Sequence, residues 1–202
     1  MMKTKWLISI LLILLLQQLF PLIQQILLHP DPIQLQHFFK SNNGILILFL
    51  LQAIQIFLFF IPAFPIQITA SLVYGFYKGT LIIYTSYLLT NILLYYGTQK
   101  ENPLFTKLMK RYQFLSKHHF MIYLIPTIPN LIKPYITKSN NYTFQQFLYT
   151  LSIASLPSIL LSTLIGTCLK YQYYAYAILF AFLFLLFTIS TYLYLFIKSK
   201  KR

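Results

Sequence analysis

The chain has 202 residues, of which 58% are hydrophobic and 9% charged, with a mean hydropathy of +0.67. A soluble domain covers its surface with about 25% charged residues, so this composition excludes a soluble globular enzyme and points to an integral membrane protein. The 16 Lys and Arg stand against two acids, Asp31 and Glu101. They sit at the ends of apolar runs and form no tract, which sets nucleic acid aside and favours an anionic membrane surface, where each basic residue adds about 1 kcal/mol of attraction.

A helix needs about 20 apolar residues to cross a bilayer core. The first such run, 6–28, follows Lys3 and Lys5. A cleaved signal peptide is the competing reading, but the run is long, Gln17 and Gln18 interrupt it, and no small-residue cleavage site follows. It reads as an uncleaved span. A polar stretch, 29–43, comes next. The run 45–60 is short for a crossing and ends at Ile61-Pro-Ala-Phe-Pro65, where two prolines stop a helix. Residues 66–74 form a second short run, closed by Gly75 and Gly79. Then 80–96 reads as a clean span.

A basic segment, 100–117, follows with Lys100, Lys107, Lys110, Arg111 and Lys117. The short run 119–125 leads into Ile125-Pro-Thr-Ile-Pro129, and 130–136 carries Lys133 and Pro134. The last two spans are 142–169, with Pro157 inside it, and 173–197, which a basic tail closes. Basic segments stay in the cytoplasm, so both termini and 100–117 are expected there, with 29–43 and the turn at Lys170 outside. This closes for an all-α integral membrane fold with about four full transmembrane helices and two opposed re-entrant helical hairpins. The repeated I-P-x-x-P marks an inverted repeat, 45–97 and 119–167. Short, proline-interrupted segments in paired positions point to a transport site at the midplane, and chance recurrence of common residues is the competing reading.

The second half resembles the VTT-domain (SNARE-associated, DedA-like) family of polytopic membrane proteins. Tyr123-Leu-Ile-Pro-Thr-Ile-Pro129 is similar to the family's R-[LI]-x-P-x-x-P, and Thr143-Phe-Gln-Gln-Phe147 to its [ST]-F-x-x-F. Ala154 stands at a usual glycine, while Pro157 and Gly166 match a proline and a late glycine. In the first half, Pro62, Pro65 and Ser71-Leu-Val-Tyr-Gly-Phe-Tyr-Lys-Gly79 are similar to a proline-rich start and a glycine-spaced stretch. Tyr95 with Gln99, or Tyr96 with Lys100, stands at the family's F-x-x-x-R. The resemblance covers about 45–170, which reads as a VTT-like core within one membrane domain. Tyr123 replaces the usual arginine, and Lys138 stands where a glycine is common. Family members are proposed to couple lipid transport to protons through embedded carboxylates. This chain has none in its apolar runs, so it looks closer to a carboxylate-poor branch.

The residues that follow from both readings are Pro62, Pro65, Pro126 and Pro129 at the hairpin tips, or as plain helix ends. Gly75 and Gly79 serve helix packing or border a lipid path. Lys133 holds a phosphate headgroup or reaches to the cytoplasmic interface. Asn130 and Lys100 join the path, and Pro157 shapes the long span beside it. No metal is expected: His118 and His119 are adjacent rather than four apart and lack a third ligand. Cys168 is the only cysteine, so no disulfide or cysteine zinc site forms. No cofactor is called for. Asn141-Tyr-Thr143 matches a glycosylation sequon on the cytoplasmic side and reads as accidental. The tyrosines at 171, 173, 174 and 176 fit an interfacial belt.

The expected function is a lipid transporter or scramblase that moves phospholipid or polyprenyl-phosphate headgroups between leaflets. The alternative is a non-transporting scaffold or assembly factor of the same fold. An enzyme is not expected, because the apolar runs carry no acid–base set. The partners are membrane lipids with anionic headgroups, and a homo-oligomer is allowed. An Ile-, Lys-, Tyr- and Asn-rich composition fits a bacterial plasma membrane.

Overall fold

The computed structural model describes residues 32–41, 43–57, 63–98, 119–124, 130 and 132–200. The expected span 6–28, Pro62, Lys100 with its basic segment, Pro126 and Pro129 lie outside these residues. Among the described residues the fold is all-α, with eight helices and no strand. They are α1 (Pro32–Ser41), α2 (Gly44–Phe57), α3 (Ala63–Tyr74), α4 (Phe76–Gly97), α5 (His119–Leu124), α6 (Ile132–Ser139), α7 (Phe144–Lys170) and α8 (Tyr174–Lys200).

The two long central helices, α4 and α7, lie antiparallel. Thr80 donates to Thr163 at 2.9 Å, Tyr84 to the carbonyl of Ser152 at 3.0 Å, and the Tyr95 and Phe147 rings stack 4.5 Å apart. The start of α7 is fixed by a reciprocal cap: Thr143 accepts from the Gln146 amide, and the Gln146 side chain accepts from the Thr143 amide, which satisfies two otherwise orphaned donors. Pro157 sits inside α7 without ending it.

The short helix α3 (12 residues) lies along the C-terminal part of α7 (27 residues) and runs the same way. Ser162 donates to the Gln67 side-chain oxygen at 2.6 Å, and the Lys170 ammonium donates to the Val73 carbonyl at 3.1 Å. Thus α3 begins beside the middle of α7 and ends at its tip. The pair α1–α2 meets the same tip, since the Tyr74 hydroxyl donates to the Phe39 carbonyl at 2.8 Å. The chain therefore enters α2 and leaves α3 at one end, called here the Tyr74 end. At the opposite end, α6 follows the last half of α4: Tyr87 donates to Asn130 at 3.2 Å, and the Lys138 ammonium donates to the Thr98 carbonyl at 2.8 Å. Helix α8 turns back through Gln172 (φ 60°) and runs down α7 and α3, with Phe184 against Phe64 at 4.8 Å.

Several expectations need correction. The polar stretch 29–43 contains α1: Pro32 opens the helix, where its fixed φ helps and its missing N–H costs nothing, and Phe39 is buried in the core. Pro65 does not stop a helix but sits in the first turn of α3, again where no backbone donor is lost. Gly75 is not half of a helix-face pair with Gly79. It is the junction of α3 and α4, with φ of 80°, a conformation open to glycine at little cost. The span expected over 80–96 begins at Phe76 and is long enough at 22 residues. It is nonetheless not clean: Thr80, Thr85, Ser86, Thr90 and Asn91 keep it polar. Among the described residues two helices are long and apolar enough to cross a membrane, Phe144–Lys170 and the Tyr174–Tyr194 part of α8.

The closest contacts are made by glycines. A side chain at Gly79 would meet the Ser71 backbone, with Cα at 2.6 Å, and one at Gly166 would meet the Ser71 hydroxyl and the Ile68 carbonyl. No atom lies within 4 Å of the corresponding point at Gly97. Gly79→Ala and Gly166→Ala are each expected to destabilise by about 1–3 kcal/mol through overpacking, with Gly97→Ala close to neutral. Thermal unfolding of the detergent-solubilised chain checks this order.

Candidate functional site

The described part of the molecule has an apolar core seeded with polar side chains and a largely apolar outer surface. Gln52, Gln55, Gln67, Ser71, Ser86, Thr90, Asn91, Lys133, Thr137, Ser155, Ser162 and Thr163 are all buried, whereas Leu46, Leu50, Leu81, Leu89, Leu93, Ile178 and Leu185 are exposed. The buried hydroxyls fall into two groups by how they are satisfied. Ser155, Thr163 and Thr167 bond carbonyls of their own helix turn, which removes the polar cost locally. Ser86 and Ser162 reach another helix, Ser86 to the Phe49 carbonyl at 2.7 Å and Ser162 to Gln67.

The amides on α2 and α4 are different. Gln52 leaves both its oxygen and its nitrogen without a hydrogen-bond partner in the protein, Gln55 leaves its Nε2, and Asn91 its Oδ1. Gln52 and Asn91 are fully buried. Asn91 is held in place, because its Nδ2 donates to the Tyr87 carbonyl at 2.8 Å, and so its free oxygen has a fixed direction. Beyond the Ser86–Phe49 contact, Gln52 lies about one turn further along α2 and Asn91 slightly more than one turn further along α4. At roughly one depth, α2 and α4 thus carry unmet donors and acceptors, each costing about 1–3 kcal/mol if left dry, with Asn91 on the face of α4 that turns Thr80 and Tyr84 toward α7.

Lys133 stands against the same part of α4. Helix α6 starts level with Tyr87, through Asn130, and ends level with Thr98, through Lys138, which puts Lys133 near the depth of Asn91. Lys133 is 2% exposed, so it does not reach an end of the bundle as one reading expected. Its Nζ lies 6.0 Å from the Tyr123 ring centroid, and no acid occurs among the described residues. Tyr123, standing where an arginine was expected, is buried and pairs its hydroxyl with Thr137 at 2.8 Å.

Of the expected site residues, the structure brings Asn130 and Lys133 together along α4. Gly75 and Gly79 lie instead at the α3–α4 junction, and Pro65 and Pro157 lie half-buried in α3 and α7. Sequence reasoning missed Gln52, Gln55, Gln67 and Asn91. The signal was present: an uncharged amide inside an apolar run is expensive and marks a site by default. No family model, curated protein or solved structure matches the chain.

Two substitutions separate satisfied from unsatisfied amides. Gln52→Met, which replaces orphaned polar atoms with an apolar group of similar shape, is expected to raise stability by about 1–3 kcal/mol. Ser162→Ala, which strands the Gln67 oxygen, is expected to lower it by a similar amount. Paired thermal melts in one detergent check the opposite signs.

Proposed function

We propose that this chain is a multi-pass membrane protein, a divergent relative of the VTT-domain proteins, that moves a phospholipid or polyprenyl-phosphate headgroup between leaflets. In this reading α2–α3 and α5–α6 are the two re-entrant hairpins, entering from opposite sides, while α4, α7, α8 and the run 6–28 cross. The segments expected outside, 29–43 and the Lys170 turn, share the Tyr74 end, and the basic segment 100–117 follows directly from Thr98 at the other. That agreement between charge and geometry supports a plasma-membrane placement with cytoplasmic termini, of the kind a bacterial chain would have.

The observation that carries the reading is the set of buried, unsatisfied amides on α2 and α4, at a depth near that of the buried Lys133. A headgroup leaving water must exchange its hydration for protein donors and acceptors. The Gln52 and Gln55 nitrogens offer donors, the Gln52 and Asn91 oxygens offer acceptors, and the Lys133 ammonium offers charge to a phosphate. The acyl or prenyl tails stay in hydrocarbon, so no bond is made or broken. With both acids outside the apolar runs, the path has no embedded carboxylate to load with a proton, and movement down a gradient is the simplest mode.

Reconstitution into liposomes carrying fluorescent phospholipid, followed by dithionite quenching of the outer leaflet, tests this. Quenching well beyond half is expected. Lys133→Met and Gln52→Leu are each expected to slow the inner-leaflet phase by roughly tenfold to a hundredfold, the effect of losing a contact to a charged group. Quenching that stops near half in the wild type removes passive movement of those lipids and leaves the scaffold reading.

A further inference from the structure

At the Tyr74 end, a cavity of about 810 Å³ opens between α1, α2 and α3, with Phe39, Lys40, Asn43, Leu46, Phe49 and Tyr74 among its walls. It is separate from the unsatisfied amides and has two contrasting sides. On one side Leu46 is 57% exposed, and Leu50, one turn on along α2, is 47% exposed, so the wall continues onto the apolar outer surface. On the other side stand two lysines. Lys40 lines the cavity, and the Lys170 ammonium binds the carbonyl of Val73, next to Tyr74 in its wall. The two lysines share this rim, because Tyr74, next to Val73, bonds the carbonyl of Phe39, next to Lys40, and no acid among the described residues separates them. Like charges held together on one rim favour an anion between them. The surrounding tyrosines place this rim at a membrane–water boundary: Tyr77, Tyr171, Tyr173, Tyr174 and Tyr176 are all exposed at this end, as amphipathic rings are at headgroup level.

We propose that this cavity is a binding site for a net-anionic phosphate-ester lipid, whose phosphate is held by Lys40 and Lys170 and whose first chain carbons lie along Leu46 and Phe49. The volume exceeds that of a bare phosphate and suits a headgroup with the beginning of its chain. The proposal rests on the membrane placement above. It does not require that the lipid be moved.

The test uses the full chain in phosphatidylcholine vesicles, with Trp6→Phe removing the only tryptophan and Phe49→Trp placing a reporter in the cavity wall. Brominated phosphatidylglycerol or brominated phosphatidylcholine is added at equal mole fraction. The expected result is stronger quenching by the brominated phosphatidylglycerol. Its preference should fall roughly fivefold for each of Lys40→Gln and Lys170→Gln and persist when both lysines become arginine. Unchanged quenching by brominated phosphatidylcholine in every variant shows that the reporter still sits in a folded cavity. Equal quenching by the two lipids overturns the site, as does a preference that survives loss of both lysines. A chain that scrambles nothing but keeps the preference has this site without the proposed transport. One that scrambles without the preference has the transport without the site.

Discussion

Ser71 is clamped between two glycines on two different helices, and the architecture depends on that contact. Gly79 lets the α4 backbone touch the Ser71 backbone, and Gly166 lets α7 touch the Ser71 side chain and the Ile68 carbonyl. Helix α3 is thereby held in the groove between α4 and α7, buried along Ile66, Gln67, Thr69, Ala70, Leu72 and Val73. Where lipid surrounds a helix there is little hydrophobic gain in bringing it to another, so close approach through small residues does that work. The same approach sets the register of the polar contacts: Gln67 reaches Ser162 only because Ser71 has settled one turn away against Gly166.

The two halves of the core are interleaved in a repeating manner. In the first half α2 packs on its own long helix, α4, while α3 packs both on α4 and on the long helix of the other half, α7. In the second, α5 packs on its own α7 and α6 packs on the other half's α4. Each short helix before a long one also ends at a residue of positive φ, Gly75 in the first half and Asn141 in the second. The second half leaves two lysines on the ends of first-half helices: Lys138 on the Thr98 carbonyl and Lys170 on Val73. A cation at a helix C-terminus complements the backbone dipole. Short helices of each half thus touch the long helix of the other, so the two halves share one core.

The long elements were legible because their signals are local. The span read as 142–169 is a helix from Phe144 to Lys170, and 173–197 is one from Tyr174 to Lys200; length and a sustained apolar composition suffice for both. Helix α1 lies in a stretch that reads only as polar, and the burial of Phe39 against distant helices shows what the segment is for. Pro65 misled, since a proline that ends one helix and a proline that begins the next are identical in sequence. The fate of Lys133 was not legible at all. Whether a lysine there reaches water depends on α4 and α5, which are remote in the chain and close in space. Gln52 and Asn91 carried a visible signal, but an amide inside an apolar run does not announce whether a partner will face it, and here Gln67 found one while Gln52 did not.

That difference bears on what the interior is for. Gln67 and Gln52 are the same side chain at similar burial, and the fold satisfies one fully enough to fix α3 on α7. It had serines and threonines available on α4 to do the same for Gln52, and it uses Ser86 on the Phe49 carbonyl instead. Four orphaned amide atoms at about 1–3 kcal/mol each approach the whole folding stability of a domain, about 5–15 kcal/mol. Leucine at positions 52 and 55 would remove most of that cost. The buried Lys133 ammonium, with no acid among the described residues, adds a desolvation penalty of its own. Packing alone gives no reason to keep such residues. A set of groups that exchanges hydrogen bonds with a passing polar and negatively charged group does, because groups already satisfied within the protein would have to break bonds to receive it. On that argument the least stable part of the core is the part most directly tied to the proposed function.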